Sequence, residues 1–220
     1  MAGNVSEPRS RAGRPGYRFA KRSLDVVAAV VGLLVVSPVL AVAAVAVKLS
    51  SPGPVLFRQV RVGRGGRPFR ILKLRTMREA PGGPAVTAGG DARVTRAGRW
   101  LRRSKLDELP QLWNVLAGDM SLVGPRPELP RFVRRFEEAY APILEVRPGL
   151  TDYAAIAYRD EEALLAGAQD PEAAYVEAVL PAKLALYRRY LDERSMGTDS
   201  RLLARTLGVL ARPRAPRPAR

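Results

Sequence analysis

The chain has 220 residues, of which 47% are hydrophobic, so it can form a core. Its formal charge of +16 indicates an anionic partner, which can be nucleic acid, an anionic membrane surface or a phosphorylated small molecule. The first 106 residues hold 21 Lys and Arg against 4 Asp and Glu, whereas the rest hold 16 against 17. The absence of His and Cys excludes a histidine base, a Ser-His-Asp triad, a thiolate nucleophile, a zinc finger and a disulfide. Acid–base or metal chemistry must therefore use carboxylates, Lys, Tyr or Ser/Thr, and any metal is expected to be an oxygen-preferring ion such as Mg²⁺.

The N-terminal part predicts a disordered basic arm (1–16) followed by a membrane-inserted helix (17–50). The arm is rich in Gly, Arg, Ser and Pro. Residues 26–47 contain no charged side chain, and a helix of this length would reach roughly 33 Å, about one hydrocarbon core. A cleaved signal peptide is disfavoured because the apolar run exceeds the usual length of such segments.

The charges around this helix predict its topology. Residues 1–22 carry six Lys and Arg, and residues 48–75 carry eight, so both flanks favour the cytoplasmic side. Ser37 and Pro38 lie in the middle of the apolar run, where proline removes a backbone hydrogen bond. We therefore expect a re-entrant helix that breaks at these two residues and returns. An ordinary kinked transmembrane helix is the alternative.

A β-hairpin is predicted next, after the segment SPGP (51–54), whose prolines and glycine interrupt regular secondary structure. Residues 55–62 and 68–76 alternate in the manner of strands, and GRGG (63–66) supplies the turn between them. The glycines could instead suggest a phosphate loop. A strand follows them, however, where a phosphate loop would open a helix.

The remaining chain is predicted to be mainly helical, with a flexible loop at 80–90. The fold class expected is therefore α+β, predominantly helical, with one β-hairpin in a small catalytic domain (51–210) and a disordered Arg/Pro tail (211–220). Some helices are amphipathic and suit either the core or the membrane interface. In chain order, the predicted helices are 94–103, 107–117, 128–145, 172–192 with an interruption near Pro181, and 198–212.

Asp107 and Glu108 form an adjacent acidic pair in a basic neighbourhood. Neighbours on a helix point about 100° apart, so these two cannot face each other as an acid–base pair in mid-helix. They can be a capping arrangement with Ser104, or Asp107 can itself be an N-cap. Alternatively, nearby cations keep Asp107 ionised as a nucleophile, while Glu108 holds Mg²⁺ against substrate phosphates. The GPRP turn (124–127) favours the second interpretation, because it presents Arg126 for phosphate binding.

At this point the chain resembles the bacterial sugar transferases, which are monotopic polyprenyl-phosphate phosphoglycosyl transferases. The resemblance covers roughly residues 19–212. It is carried, in order, by KRSLDVV (21–27), Ser37-Pro38, SPGPVLFRQVRVG (51–63), FRILKLRTM (69–77), DARVTRAGRWLRR (91–103), LDELPQLWNVLAGDMSLVGPRPE (106–128) and VRPGLT (146–151).

The resemblance implies a catalytic domain on the cytoplasmic face of the bacterial inner membrane and a ping-pong reaction. Asp107 would attack the β-phosphorus of a UDP-sugar and release UMP, and undecaprenyl phosphate would then accept the sugar-phosphate. Glu108 would be associated with Mg²⁺, and the diphosphate would be held by basic residues at Lys73, Arg102, Arg126 and Arg147. The expected partners are these two substrates and anionic membrane lipids, with no nucleic acid, and a homodimer is left open.

Two departures from the family pattern are visible. Many relatives continue PGLT with Gly-Trp-Ala-Gln, whereas Thr151 is followed here by Asp152, Tyr153 and two alanines. Many relatives also carry an Asp three residues before a late Tyr, and that position here is Tyr187. A change in sugar or acceptor recognition is expected at the first departure, and no role is transferred to Tyr187.

Two other functions compete with this interpretation. A membrane-tethered nucleic-acid binder would use the basic half, but it would need stacking residues, and only 6% of the chain is aromatic. A non-enzymatic scaffold would not need the acidic pair and the arginines.

Overall fold

The computed structural model describes residues 15–78 and 86–211. The predicted basic arm (1–16) and tail (211–220) lie outside this range, except that Pro15 and Gly16 belong to the first helix and Ala211 to the last one. Most of the predicted loop 80–90 also lies outside it.

The described chain is mostly helical, as predicted, and two small sheets connect its parts. The helices are α1 (Pro15–Ser50), α2 (Arg96–Ser104), α3 (Gln111–Ala117), α4 (Pro130–Arg135), α5 (Glu137–Tyr140), α6 (Tyr153–Ala157), α7 (Glu161–Leu164), α8 (Pro171–Ala174), α9 (Leu180–Glu193) and α10 (Met196–Ala211). The strands are β1 (Leu56–Val62), β2 (Pro68–Leu74), β3 (Ser121–Val123) and β4 (Gly149–Thr151).

Helix α1 is continuous through Ser37 and Pro38, so the prediction of two helices separated at these residues is wrong for the secondary structure. Pro38 has no N–H to donate to the carbonyl of Leu34, four residues earlier. The Ser37 hydroxyl donates to that carbonyl instead, at 2.8 Å. This hydrogen bond satisfies the group that proline leaves unpaired, so the helix can continue.

One face of α1 packs along the rest of the protein and the other faces are exposed. The packed face repeats every three or four residues, as expected for one side of a helix, and consists of Ala29, Leu33, Val36, Leu40, Ala43 and Val47. Ala29 and Val47 are fully buried, whereas Leu34 and Val42 are about 70% exposed. By length and composition α1 could cross a membrane, and its low burial is unlike that of the core helix of a soluble protein.

The predicted β-hairpin is confirmed. Strands β1 and β2 pair in antiparallel register, with Leu56 opposite Leu74 and Val62 opposite Pro68. Residues 64–66 form a 3₁₀ turn between them, and Gly65 and Gly66 adopt the positive φ angles that glycine tolerates best. A strand follows this turn, so a phosphate loop that opens a helix is not present here.

A second, parallel ladder between β3 and β4 was not predicted. Ser121 pairs with Gly149 and Val123 with Thr151. The chain just after β3 passes so close to β4 that a Cβ atom at Gly149 would meet the backbone nitrogen of Gly124 at 2.1 Å. Glycine is therefore required at this crossing, which fixes the loop that carries Arg126.

The prediction of one helix over 128–145 is wrong. Helices α4 and α5 are separated at Phe136, whose φ of −124° and ψ of 38° are not helical, and a 3₁₀ turn follows at Ile143–Glu145. The apolar residues of this segment nevertheless pack into one core cluster, with Phe132 and Tyr140 buried. The apolar pattern thus identified the buried residues but not the bends between them.

Three other helix predictions are confirmed with altered boundaries. Helix α2 agrees closely with 94–103, and the predicted interruption of 172–192 is a π-helical turn at Tyr175–Val179, just before Pro181. Helix α10 buries Leu202, whereas Leu207 is 68% exposed, so its first part packs in the core and its last turns do not. The predicted helix 107–117 is divided into a 3₁₀ turn at Leu106–Glu108 and α3.

Candidate active site

The acidic pair lies in the 3₁₀ turn between α2 and α3. Lys105 ends α2 in the left-handed conformation, with φ of 60°, and its N–H donates to the carbonyls of Arg102 and Leu101. The chain therefore reverses sharply just before Asp107. The capping interpretation of Asp107 is wrong, because the turn and α3 have no side-chain cap hydrogen bond, and the hydroxyl of Ser104 donates back to Trp100 and Leu101.

Asp107 is buried, with 6% of its surface exposed. Its Oδ1 atom has no hydrogen-bond partner in the described part of the chain. Burial and the adjacent Glu108 raise the pKa of Asp107 to about 6, against the opposing effect of Lys73, Lys105 and Arg102. We expected the surrounding cations to keep Asp107 ionised. Burial instead has a larger effect on its pKa than the cations have, although the carboxyl is still mostly ionised at neutral pH.

Glu108 is held by two cations. Its Oε1 atom accepts from Nη2 of Arg126 at 2.6 Å and from Nζ of Lys73 at 3.2 Å. Burial alone would raise the pKa of Glu108, but Arg126 and Lys73 hold it well below its usual range. Burial lowers the pKa of Lys73, and Glu108 partly offsets this. The two adjacent carboxyls thus have pKa values shifted in opposite directions, which is typical of acidic residues with different roles.

Separate elements bring these side chains together. Lys73 lies on β2, directly opposite Phe57 on β1, and Arg126 lies in the loop after β3. The structure therefore joins four of the predicted site residues, Lys73, Asp107, Glu108 and Arg126, in one place. Lys73 and Arg126 contact the same oxygen of Glu108 from two different elements of the fold.

Asp152 fixes the backbone of the Arg126 loop, a role that the sequence did not indicate, since the only expectation there was a change in sugar or acceptor recognition. Its Oδ2 atom accepts the backbone N–H of Arg126 at 3.1 Å, while Oδ1 accepts the N–H of Ala155 and caps α6. Asp152 is 1% exposed, and burial raises its pKa to about 6. The only signal in the sequence was its position, since it follows PGLT where many relatives have glycine.

Tyr187, at the second departure from the family pattern, is also buried near Asp152. It is 1% exposed, and burial, followed by the negative charge of Asp152, raises its pKa well above the ordinary value. Tyr187 therefore stays protonated next to the residue that fixes the Arg126 loop.

Arg102 lies at the edge of this site. It contributes to the charges that lower the pKa of Asp107, but its Nε donates to Thr76 at 2.9 Å and its Nη1 pairs with Glu162 at 2.8 Å. Its contacts therefore tie the end of α2 to the chain after β2 and to α7. Thr76 and Glu162 are supporting residues that the sequence did not indicate.

Arg147 is not brought to the acidic pair. Its Nε donates to the carbonyl of Gly118 at 2.8 Å, and the charged groups that affect its pKa are Arg22, Arg64, Asp25 and Arg18. Ser37 and Pro38 lie inside α1, where the Ser37 hydroxyl contacts the carbonyl of Leu34. The sequence could not separate Arg147 from the other basic residues, because all carry the same charge and only the fold decides where each one lies.

A divalent ion fits the donor set at the acidic pair. In residues 15–78 and 86–211 there is no cluster of three or more His, Cys, Asp or Glu that could hold a metal ion alone. Mg²⁺, however, usually binds through one or two carboxylates together with substrate phosphates. Asp107 has an unpartnered buried oxygen, and Glu108 uses Oε1 for both of its ion pairs, so these residues fit such an ion once phosphates are bound.

The chain is similar in sequence to several named proteins. The chain is 44% identical over 210 residues to the UDP-glucose:undecaprenyl-phosphate glucose-1-phosphate transferase of Caulobacter vibrioides, covering 91% of this chain and 74% of that one. A protein of the same name from Escherichia coli K12 is 48% identical over 144 residues, which are 63% of this chain and 31% of that one.

A third relative, from Aeromonas hydrophila, is named UDP-N-acetylgalactosamine-undecaprenyl-phosphate N-acetylgalactosaminephosphotransferase. It is 46% identical over 149 residues, which are 66% of this chain and 35% of that one. The chain thus spans about a third of the length of two of these relatives and most of the length of the Caulobacter protein. The profile of the bacterial sugar transferase family matches residues 16–213, nearly the whole chain, and the protein therefore belongs to the bacterial sugar transferase family.

Proposed function

We propose that the protein transfers a sugar-1-phosphate from a UDP-sugar to undecaprenyl phosphate through a covalent intermediate on Asp107, as the first membrane step in building a surface polysaccharide or glycoconjugate. The observation that carries the proposal is the buried Asp107 carboxylate with an unpartnered oxygen, next to a Glu108 already neutralised by two cations. The names of the relatives support the substrate classes.

In the first half-reaction, an Asp107 carboxylate oxygen attacks the β-phosphorus of the UDP-sugar. A phosphorus–oxygen bond forms to Asp107, the bond to the bridging oxygen breaks, and UMP leaves with the electron pair. In the second half-reaction, an oxygen of undecaprenyl phosphate attacks the same phosphorus and Asp107 is released as a carboxylate. Neither step requires an external oxidant, reductant or histidine base.

The cations at the site bind and orient the diphosphate. Lys73 and Arg126 lie within hydrogen-bond distance of Glu108, so phosphate oxygens arriving there can replace that carboxylate as their partner. Glu108 would then be available to hold Mg²⁺. When bound, this ion supplies charge neutralisation that lets a negatively charged nucleophile approach phosphorus.

The membrane topology proposed is re-entrant, with the catalytic domain on the cytoplasmic face. The first turns of α1 contact the domain through Lys21 and Asp199, at 2.7 Å, and through Arg22 and the carbonyl of Val115, at 2.7 Å. Near its other end, Val47 belongs to the same core cluster as Leu74 and Leu101. A straight spanning helix would place its ends on opposite faces, about 30 Å apart, so contact of both ends with one domain supports a helix that enters and leaves on one side. Because α1 stays helical through Pro38, this topology requires a proline bend at that residue and not a break between two helices.

UMP release tests this function. The full chain is incubated with undecaprenyl phosphate, Mg²⁺ and one of a panel of UDP-sugars that includes the glucose and N-acetylgalactosamine forms named in the relatives. We expect UMP and an undecaprenyl diphosphate sugar in equal amounts with at least one donor. Release of UDP, or of free sugar-1-phosphate without lipid product, would contradict the proposal.

A further inference from the structure

Gln111 is a fully buried polar residue next to the acidic pair. It is the first residue of α3, four positions after Asp107, and its side chain is closed off from solvent. Among residues 15–78 and 86–211, neither its amide oxygen nor its amide nitrogen has a hydrogen-bond partner. Burial of an amide without partners costs free energy, so a group of this kind calls for an explanation.

A second amide on the same helix shows the contacts that a structural role provides. Asn114 is also buried and lies one turn after Gln111 on α3. Its Oδ1 atom accepts the backbone N–H of Leu72 at 3.0 Å, and its Nδ2 atom donates to the carbonyl of Arg70 at 2.9 Å. Asn114 therefore joins α3 to β2, whereas the amide of Gln111 forms no such bond within the described chain.

The backbone directs Gln111 towards Asp107. The 3₁₀ turn at Leu106–Glu108 continues into α3 through Leu109 and Pro110, which both have right-handed helical φ and ψ angles. Residues four positions apart on a helix are neighbours on its surface, and a helical side chain points back towards the N-terminal end. The amide of Gln111 therefore points towards Asp107, whose Oδ1 atom is buried and unpartnered as well.

These two unpartnered groups are chemically complementary. The amide nitrogen of Gln111 can only donate, and an oxygen of the ionised Asp107 carboxylate can only accept. The two are not within hydrogen-bond distance in the structure. Hydrogen bonds between catalytic groups commonly shorten when substrate binds, however, and both groups are available for such a bond.

We propose that Gln111 is a positioning residue for the nucleophile: in the reacting complex its amide N–H donates to Oδ1 of Asp107 and directs Oδ2 at the phosphorus. Correct orientation of an attacking group removes a large part of the entropic barrier to reaction. Gln111 acts through Asp107 and does not touch the substrate, because its own side chain is fully buried. The inference rests on the proposed function, since it requires Asp107 to be the nucleophile.

An uncharged donor suits this position. Arg126 and Lys73 hold Glu108 by charge, and a cation bound in this way to Asp107 would stabilise its carboxylate and weaken it as a nucleophile. The amide of Gln111 adds no charge. It can also keep its hydrogen bond after the phosphorus–oxygen bond has formed, because Oδ1 is then the carbonyl oxygen of an acyl phosphate. A carboxylate oxygen has more than one lone pair, so this bond leaves room for a divalent ion.

The test compares variants of the full chain by two measurements, the rate of the first half-reaction and the midpoint of thermal unfolding. The rate is UMP release in a rapid-quench experiment with UDP-glucose or UDP-N-acetylgalactosamine, whichever the unmodified chain uses faster. Gln111→Met keeps about the same side-chain volume without polar atoms. Gln111→Asn keeps the amide on a shorter side chain.

We expect the methionine variant to react roughly 10–100-fold more slowly at saturating UDP-sugar, with little change in KM, because orientation of the nucleophile is lost and no substrate contact is removed. Its unfolding midpoint should be equal to that of the unmodified chain or higher, since a buried amide without partners is removed. The asparagine variant should react faster than the methionine variant and unfold at a lower temperature, because it leaves a cavity. Rate and stability should therefore rank the two variants in opposite orders.

The matched control is Asn114→Leu, which also replaces a buried amide on α3 by an apolar side chain. It should lower the unfolding midpoint, because the Leu72 N–H and the Arg70 carbonyl lose their partner. The contrast with Gln111→Met separates an amide that stabilises the fold from one that does not.

Three outcomes would overturn the inference. Equal rates in the unmodified chain and in Gln111→Met would do so while leaving the proposed function intact. Rates that follow the unfolding midpoints of the two Gln111 variants would assign this residue a structural role only. If the unmodified chain releases no UMP with either UDP-sugar or with the others of the panel, the proposed function and this inference fail together.

Discussion

The guanidinium of Arg126 donates to Oε1 of Glu108 at 2.6 Å, although the two residues are 18 positions apart in the chain. Lys73 contacts the same oxygen. The second carboxylate of the acidic pair is therefore neutralised, while Asp107 keeps an unpartnered oxygen in a buried position. The fold thus gives two adjacent acids different chemical environments, which explains why they can stand side by side in a basic segment.

Removing the charge of Glu108 should reduce turnover strongly. In Glu108→Gln, Lys73 and Arg126 lose their anionic partner and the site loses a ligand for Mg²⁺. We expect UMP release to fall by about 10²–10³-fold, in line with the loss of one preorganised electrostatic contact, and to need more Mg²⁺. Initial rates measured over a Mg²⁺ titration check this.

The control for this change is Glu172→Gln. Glu172 pairs with Arg131 in an ion pair that does not involve the site residues, and its side chain is 34% exposed, so we expect an effect below about threefold. Equal losses in the two variants would indicate that Glu108 has only a structural role.

The rate of the first half-reaction should depend on pH through Asp107. The carboxylate is the attacking form and burial raises its pKa to about 6, so the rate should rise with pH through that value and then level off. Rapid-quench measurement of UMP release against pH gives the inflection. Asp152 also has a pKa raised to about 6, so the same profile is measured in Asp152→Asn. Loss of the inflection in that variant would assign it to Asp152 instead.

Asp152 should act as a positioning residue for Arg126. Asp152→Ala removes the acceptors of the Arg126 and Ala155 N–H groups, whereas Asp152→Asn keeps one carbonyl oxygen. We expect kcat/KM to fall by roughly tenfold or more in the alanine variant and less in the asparagine variant, because a small displacement of a binding group is costly. Steady-state kinetics of UMP release measure this.

The matched control is Asp170→Ala, since Asp170 caps α8 in the same way by accepting from Glu172 and Ala173. Its loss should cost about 1 kcal/mol of stability without a comparable kinetic effect. If both alanine variants lose kcat/KM in proportion to their loss of stability, Asp152 has no specific role at Arg126.

The two ends of α1 should lie on the same side of the membrane. The chain has no cysteine, so Gly16→Cys and Arg58→Cys each introduce a single reactive thiol at an exposed position. In inverted and right-side-out vesicles, we expect a membrane-impermeant maleimide to label both variants from the cytoplasmic side only. Labelling of Gly16→Cys from the outside would indicate a spanning helix.

The sequence predicted those features that depend on local pattern or on residue type. Strand alternation and glycines identified the hairpin, and apolar spacing identified α10. Charge type identified Glu108 and Arg126 as candidates, whereas Lys73 came from the family resemblance. It could not predict the pairing of β3 with β4, because strands of three residues carry little pattern and their contact joins distant segments.

Other features depended on competition between local and long-range effects. Six apolar residues between 128 and 145 fall at helical spacing and pack in or against one core cluster, yet the chain bends at Phe136. Pro38 was expected to end a helix, but the Ser37 hydroxyl replaces the missing hydrogen bond. Asp152 and Arg147 show the same limit for the site, since the place of each side chain depends on which distant backbone group it contacts.

Intact-protein and peptide mass spectrometry of the full chain, quenched in acid after mixing with a UDP-sugar in the absence of undecaprenyl phosphate, tests the proposed chemistry. We predict one added sugar-phosphate, located on Asp107, lost when undecaprenyl phosphate is supplied, and not formed in Asp107→Asn. An adduct on another residue, or UMP release by Asp107→Asn at the rate of the unmodified chain, would contradict the assignment of Asp107 as the nucleophile.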